Sequence, residues 1–175
     1  MSDKLKTFVI TGPESTGKST LARKLKEFYD CTLVDEYARS FINQLDRPYQ
    51  YHDLLTIAKG QWKLFQQSAK TNPNILICDT SLLTIKVWSE DKFGKCDPWI
   101  EQYITKENIF MYILCDIDVP WVYDDQREDA HRREELKYLY LEELKRLNTN
   151  YTILSGSYES RLQTAVEIID QNIDR

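Results

Sequence analysis

The chain has 175 residues, of which 42% are hydrophobic and 29% charged, with a formal net charge of −5 and a pI near 5.2. That length suits one domain with a sizeable core, and the acidic balance excludes a global basic field for nucleic acid or an anionic membrane. The segment from Met1 to Lys6 has no apolar stretch of signal-peptide length, and the longest apolar run, 109–115, is far short of a membrane span. A cytoplasmic protein is the expectation.

The first predicted strand is Leu5–Thr11. It runs into Gly12-Pro13-Glu14-Ser15-Thr16-Gly17-Lys18-Ser19, which fits G-x-x-x-x-G-K-[ST], the phosphate-binding P-loop. A helical pattern over 18–29 follows, with Leu21, Ala22, Leu25 and Phe28 at helical spacing. Strand, glycine loop and helix are the context in which backbone N–H groups curl inward as an anion nest at a helix N-terminus. Lys18 is expected to reach the β- and γ-phosphates of ATP, and Ser19 to ligate Mg²⁺. Gly12, Glu14, Ser15, Thr16, Gly17 and Thr20 complete the expected nucleotide contact.

The second strand, Cys31–Asp35, ends in carboxylates. Asp35 and Glu36 stand where a second substrate would approach the γ-phosphate, so one of them can accept a hydroxyl proton or hold sugar hydroxyls. Asp35 also reads as an N-cap, and Glu36 as a partner of the dipole, for the helical stretch 36–45. Tyr37 and Arg39 follow on that stretch and are further candidates for contact with the second substrate. In the next helix, 51–70, Asp53 and Gln61 are eight apart and share a face; they line a nucleoside pocket or form a polar solvent face.

Ile75–Thr80 is a strand closing on Asp79-Thr80. The pattern is that of a Walker B carboxylate held on Mg²⁺ or its water, and equally of an N-cap before the helix 80–92. Within that helix Asp91-Lys92-Phe93-Gly94 mimics a switch D-x-x-G but lies far from a strand end. A helix over 97–107 and a strand over Ile109–Asp116 come next. A charged stretch interrupted by Pro120 then fills the slot where P-loop proteins often carry a lid, here about 117–133. Arg127 and Arg132 are its candidates for neutralising a transferred phosphoryl group, or else part of a solvated charge run. Trp121 suits stacking on a flat ring or anchoring of the loop. A helix over 133–148, a strand over Tyr151–Ser155 and a helix over 158–172 end the chain.

Several strands are continuous apolar runs, as buried parallel strands require. The alternation therefore predicts an α/β fold: a P-loop NTPase three-layer sandwich with a central five-stranded parallel sheet and a lid, in a single domain over 1–175. Cys31, Cys78, Cys96 and Cys115 have no C-x-x-C spacing, and Cys78 and Cys115 fall within strands as small hydrophobes. An N-K-x-D guanine motif is absent, and 175 residues leave no room for the helical subdomain of an AAA-type motor. A compact phosphotransferase remains, with a regulatory ATPase switch as the alternative of another class.

Gly12-Pro13-Glu14-Ser15-Thr16-Gly17-Lys18-Ser19-Thr20 resembles the G-x-E-S-x-G-K-S-T loop of the nicotinamide riboside kinase domain in NadR-type proteins, a P-loop, AAA_28-type ATP-binding domain. Glu36-Tyr37-Ala38-Arg39 is similar to that family's E-Y-x-R, Asp79-Thr80 to its third-strand D-T, and Pro120-Trp121-Val122 with Asp124 and Arg127 to its P-W-V-x-D-G-x-R. The resemblance implies ATP- and Mg²⁺-dependent phosphorylation of the nicotinamide riboside 5′-hydroxyl, giving nicotinamide mononucleotide. It further implies Trp121 and Asp124 near the nucleoside and arginines on the lid. The chain departs from the pattern in three places: Asp125 stands where the family has glycine, Asp35 precedes Glu36, and no adenylyltransferase H-x-G-H motif precedes the kinase strand. The resemblance thus implies a stand-alone kinase whose partner is a small nucleoside, with no nucleic acid or membrane.

Overall fold

The computed structural model describes residues 5–71, 73–123 and 131–173; Asp124 and Arg127 lie outside them. The strands β1 (Lys6–Thr11), β2 (Thr32–Val34), β3 (Ile75–Asp79), β4 (Met111–Cys115) and β5 (Tyr151–Leu154) form one sheet in the order β2-β3-β1-β4-β5. Every pairing is parallel. Parallel neighbours need crossovers, here supplied by α1 (Lys18–Tyr29), α2 (Tyr37–Ile42), α3 (Tyr51–Lys70), α4 (Leu82–Phe93), α5 (Pro98–Ile104) and α6 (Arg133–Arg146), while α7 (Tyr158–Asp170) follows the last strand. The result is the three-layer α/β sandwich expected from the sequence.

The continuous apolar run of β1 is explained by its two covered faces. Phe8 and Ile10 pack with Leu21, Ala22 and Leu25 of α1 and Ala165 and Ile169 of α7. Val9, on the opposite side, joins a second core with Leu54, Ile57, Leu82, Ile100 and Leu144. All three β1 residues are fully buried, and truncating a large side chain in such a core costs about 2–5 kcal/mol. Cys78 and Cys115 are buried free thiols in these cores, and burial pushes the Cys115 thiol up to about 11. Among the described residues no helix is long and apolar enough to cross a membrane.

Register places the chemistry. Ile10 lies beside Asp79 and Thr11 beside Leu114, so the loop after β1 and the carboxylate ending β3 emerge together at the carboxyl edge of the sheet, where ligands of such sheets bind.

Two helices differ from expectation. The stretch 36–45 is helical only over Tyr37–Ile42. The stretch 97–107 ends as α-helix at Ile104 and tightens into a 3-10 turn, Thr105–Glu107. That turn delivers the carboxylate of Glu107 to the N-terminus of α4, where both oxygens lie 3.3 Å from the Leu82 N–H. Asn108, left-handed at φ 49°, then stops the turn.

Glu107 is 1% exposed, and burial raises its carboxyl from the ordinary 4.5 to about 8, against the lowering effect of the Leu82 N–H and Ser81. A value raised in the folded state means the native protein holds the proton more tightly than the unfolded chain. The stability tied to this group is therefore full below about pH 4.5, declines as pH rises and levels off above about pH 8. Glu107→Gln lacks that titration. Its Tm relative to wild type should climb across this window and be constant above it; a difference independent of pH would show that Glu107 is not held neutral by burial.

Candidate functional site

The loop between β1 and α1 curls because Gly17 adopts φ 81°. A side chain there would be strained and would also meet the Tyr158 ring, 2.5 Å from an ideal Cβ. Gly17 gives α1 no side-chain cap, which leaves the N–H groups of the first turn to face an anion at the positive end of the helix dipole.

Carbonyls on the outer side of the loop are held from behind. Thr16 Oγ1 donates to the Pro13 carbonyl at 2.8 Å, and Lys18 Nζ reaches across the loop to the same oxygen at 2.6 Å. The Arg161 guanidinium, 2% exposed, donates to the Thr16 carbonyl at 2.6 Å and the Asp116 carbonyl at 2.8 Å and pairs with Asp118. Arg133 donates to the carbonyls of Val119 and Ser15, at 3.0 and 3.4 Å. The segment after Pro120 docks on the same loop: the Val122 N–H donates to Ser15 Oγ at 2.7 Å, and Trp121 Nε1 to Glu14 Oε1 at 3.4 Å.

Asp79 is 5% exposed, and its Oδ1 has no hydrogen-bond partner among the described residues. Burial pushes its carboxyl above the ordinary value, opposed by a hydrogen bond from Ser19 and by the charges of Lys18 and Arg23. An orphaned, buried carboxylate oxygen costs free energy unless something pairs with it. The hydroxyl of Ser19 at its side is the second hard oxygen ligand a Mg²⁺ ion would use. Among the described residues no three His, Cys, Asp or Glu side chains gather to hold a metal; Mg²⁺ carried with phosphates needs only one or two carboxylates.

From the loop a cavity of about 550 Å³ extends between α2, α4 and α6. Its wall includes the loop from Gly12 to Thr20, then Arg23, Glu36, Arg39, Ile42, Tyr49, Trp88, Asp91, Lys92, Arg132, Leu136 and Tyr140. That size, with aromatic and aliphatic side chains set among charged groups, suits a small-molecule site.

Most sequence candidates meet here, but several do not. Glu36, half-buried at the start of α2, lines the cavity, whereas Asp35 is exposed and outside the wall, with its carbonyl accepting from Gln61. Tyr37 and Asp53, expected at the substrate, are not in the wall. Tyr37 lies on Gly60, where a Cβ would come within 2.2 Å of its ring, and its N–H donates to Gln61. Asp53 closes the capping box at the N-terminus of α3 and takes two hydrogen bonds from Arg47. Arg47 holds its carboxyl down at about 2. Neither a pocket nor a solvent face describes Asp53 and Gln61: both are buried structural groups. Trp121 is likewise absent from the wall and anchors its segment on Glu14. Arg132 lines the cavity while bonded to Asp91 and Glu135.

Sequence reasoning missed Arg161, Trp88 and Tyr140, and saw Arg133 only as part of the charged stretch rather than as a donor to the loop carbonyls. Arg161 left a legible signal: with Ala165 and Ile169 it occupies the buried stripe of α7 at i, i+4, i+8, so an arginine stands where an apolar residue is due.

A family model described as an AAA domain, AAA_28, matches residues 7–161. The trifunctional NAD biosynthesis/regulator protein NadR of Escherichia coli (strain K12) is 28% identical over 172 residues, which are 94% of this chain and 42% of that protein. The chain therefore spans less than half the length of the curated relatives it matches. Among solved structures, NadR protein in complex with NR superposes with a TM-score of 0.81 at 21% identity, covering 97% of this chain and 53% of that one. Thymidylate kinase from Ehrlichia chaffeensis gives 0.70 at 14% identity, over 94% and 98%. At such identities these two structures share the fold.

Asp79→Asn keeps the shape of a buried side chain and removes its charge. It is expected to melt at or above the wild-type temperature in buffer alone, yet to lose most of the extra stabilisation that Mg²⁺ gives in the presence of a nonhydrolysable ATP analogue. Thermal unfolding over a Mg²⁺ series separates the two effects. An unchanged Mg²⁺ response with a lowered Tm would make Asp79 a structural cap.

Proposed function

Because the chain belongs to the AAA_28 family of AAA domains, we propose that it is a P-loop kinase that transfers the γ-phosphoryl group of ATP to the 5′-hydroxyl of nicotinamide riboside, giving nicotinamide mononucleotide. The observation that carries this reading is the continuity of one cavity from the phosphate loop, past Glu36, to a pocket bearing Tyr49, Trp88 and Tyr140. A nucleotide switch needs no such second compartment. The names of the relatives support the acceptor: NadR is a NAD biosynthesis protein, and its structure holds NR.

The residues divide the work. The loop N–H groups and Lys18 cradle the triphosphate. Ser19 and Asp79 would hold Mg²⁺, which when bound supplies neutralising charge on the phosphates. Glu36 orients the acceptor hydroxyl and takes its proton as the new O–P bond forms and the bond to ADP breaks. Asp35, facing away, is the weaker candidate for that base. Arg39 and Arg132, together with Arg127 from the lid, stabilise charge on the transferring group, and Asp124 contacts the nucleoside. Trp121 positions the lid root on the loop.

The test is direct: purified protein, MgATP and nicotinamide riboside, with nicotinamide mononucleotide followed by chromatography alongside a panel of other nucleosides. Lys18→Ala should fold and lose turnover by a factor on the order of a hundred or more. Glu36→Gln should lower kcat more than it changes the nucleoside KM. Turnover of another nucleoside without any product from nicotinamide riboside would overturn the acceptor; ADP release that needs no acceptor would overturn the kinase.

A further inference from the structure

Beyond Lys18, helix α1 carries Arg23, Lys24 and Lys26, and of these three only Arg23 lines the cavity, where it joins Ser19, Thr20, Glu36 and Arg39. The helix explains its place. Arg23 follows Ser19 by four residues, so the two share a face of α1, about 6 Å apart along the axis at roughly 1.5 Å per residue. A long side chain on a helix leans back over the preceding turn, which carries the guanidinium toward Ser19 and the phosphate loop. The charge of Arg23 accordingly reaches the Asp79 carboxyl and favours its ionised form, beside the hydrogen bond from Ser19.

The neighbouring charges narrow what this cation can serve. Arg132, on the same wall, is shared between the carboxylates of Asp91 and Glu135. Arg23 is exposed, and among the described residues it has no ion-pair partner, its influence on Asp79 being exerted at longer range. An anion for it must come with the ligand. On the kinase reading above, the γ-phosphoryl group passes from Lys18 and Ser19 toward Glu36, and Arg23 borders that path. During transfer negative charge is spread over the three equatorial oxygens of the group. A guanidinium is a planar fork that matches two such oxygens, as an ammonium is not.

Resting on that kinase reading, we propose that Arg23 is a further catalytic residue, whose guanidinium binds the equatorial oxygens of the γ-phosphoryl group as it passes from ADP to the acceptor hydroxyl. Arg23 forms and releases only hydrogen bonds. The bond from phosphorus to the ADP oxygen breaks, the bond to the acceptor oxygen forms, and the hydroxyl proton goes to Glu36.

Arg23→Ala and Arg23→Lys test this in two ways. Calorimetric titration with MgADP, and with the Mg²⁺ complex of a nonhydrolysable ATP analogue, reads the γ-phosphoryl contact without turnover. Arg23→Ala should bind the analogue about tenfold more weakly, the loss of one charged hydrogen bond, and should bind MgADP as the wild type does. That unchanged MgADP binding also shows the variant to be folded. Initial rates, with whichever nucleoside the wild type phosphorylates, should show kcat lowered on the order of a hundredfold and the acceptor KM little changed. Arg23→Lys should recover part of both effects, because it keeps the charge and loses the fork. Wild-type values of analogue affinity and kcat in Arg23→Ala would overturn the inference and make Arg23 a solvated surface charge. Equal losses for MgADP and the analogue would overturn it too, placing the effect on the loop. Either result leaves the kinase reading standing. Wild-type protein that binds neither nucleotide would overturn that reading and this inference with it.

Discussion

The guanidinium of Arg161, sealed between α7 and the phosphate loop, is the contact on which the geometry of the site turns. A P-loop presents N–H groups inward only if its carbonyls are satisfied outward, and Arg161 takes the Thr16 carbonyl from behind while gripping Asp116 and Asp118 beyond the end of β4. Burying such a charge is costly unless it is paired and hydrogen-bonded. The two carbonyls and the Asp118 carboxylate offset that cost, although Nε is left without a partner among the described residues. Arg133 at the start of α6 repeats the arrangement on Ser15 and Val119. Helices distant in sequence thus fix a loop whose own sequence, rich in small residues, would not hold one conformation.

The carboxylates around the sheet illustrate how environment divides one chemical group among tasks. Asp53, answered by Arg47 and a backbone N–H, is held at about 2 and is a structural anion. Glu107, buried and answered by the Leu82 N–H and Ser81, is pushed to about 8 and serves α4 chiefly as a neutral group near neutral pH. Asp79 is raised by burial above the ordinary carboxylate value, while Ser19, Lys18 and Arg23 pull it down. That balance suits a group whose partner arrives with the ligand. Asp35 and Glu36 are adjacent in sequence, but the extended backbone at the end of β2 sends only Glu36 to the cavity.

The framework was legible because its signals are local. Continuous apolar strands, the glycine loop and the 3.6-residue periods of α1 and α3 gave boundaries that the structure reproduces. Side-chain destinations were less legible wherever a distant partner decided them. The eight-residue spacing of Asp53 and Gln61 correctly put them on one face, yet that face is turned inward, where Arg47 and the backbone around Asp35 and Tyr37 satisfy both. Trp121 read either as a stacking residue or as an anchor of its loop; it is an anchor, and the partner that decides this, Glu14, lies 107 positions away. The mimic Asp91-Lys92-Phe93-Gly94 proves to be the end of α4, with Gly94 as its left-handed C-cap, while Asp91 and Lys92 face the cavity.

The architecture is shared with thymidylate kinase, and a fold by itself does not fix a substrate, so on the kinase reading proposed above the choice of acceptor resides outside the sheet. Here the sheet edge and the P-loop fix only where phosphate goes. The remaining wall is built from α2, the residue Tyr49, α4 and α6, whose contacts with one another run through side chains such as the Asp91–Arg132 pair. Substitutions on those helices can alter charge and shape at the far end without touching Arg161, Asp79 or the loop. On the proposed reading, a chain 28% identical to its relative over nearly its whole length can thus keep the phosphate loop and its supports while the wall facing the acceptor changes, and the charges that wall carries are the physical record of what it admits.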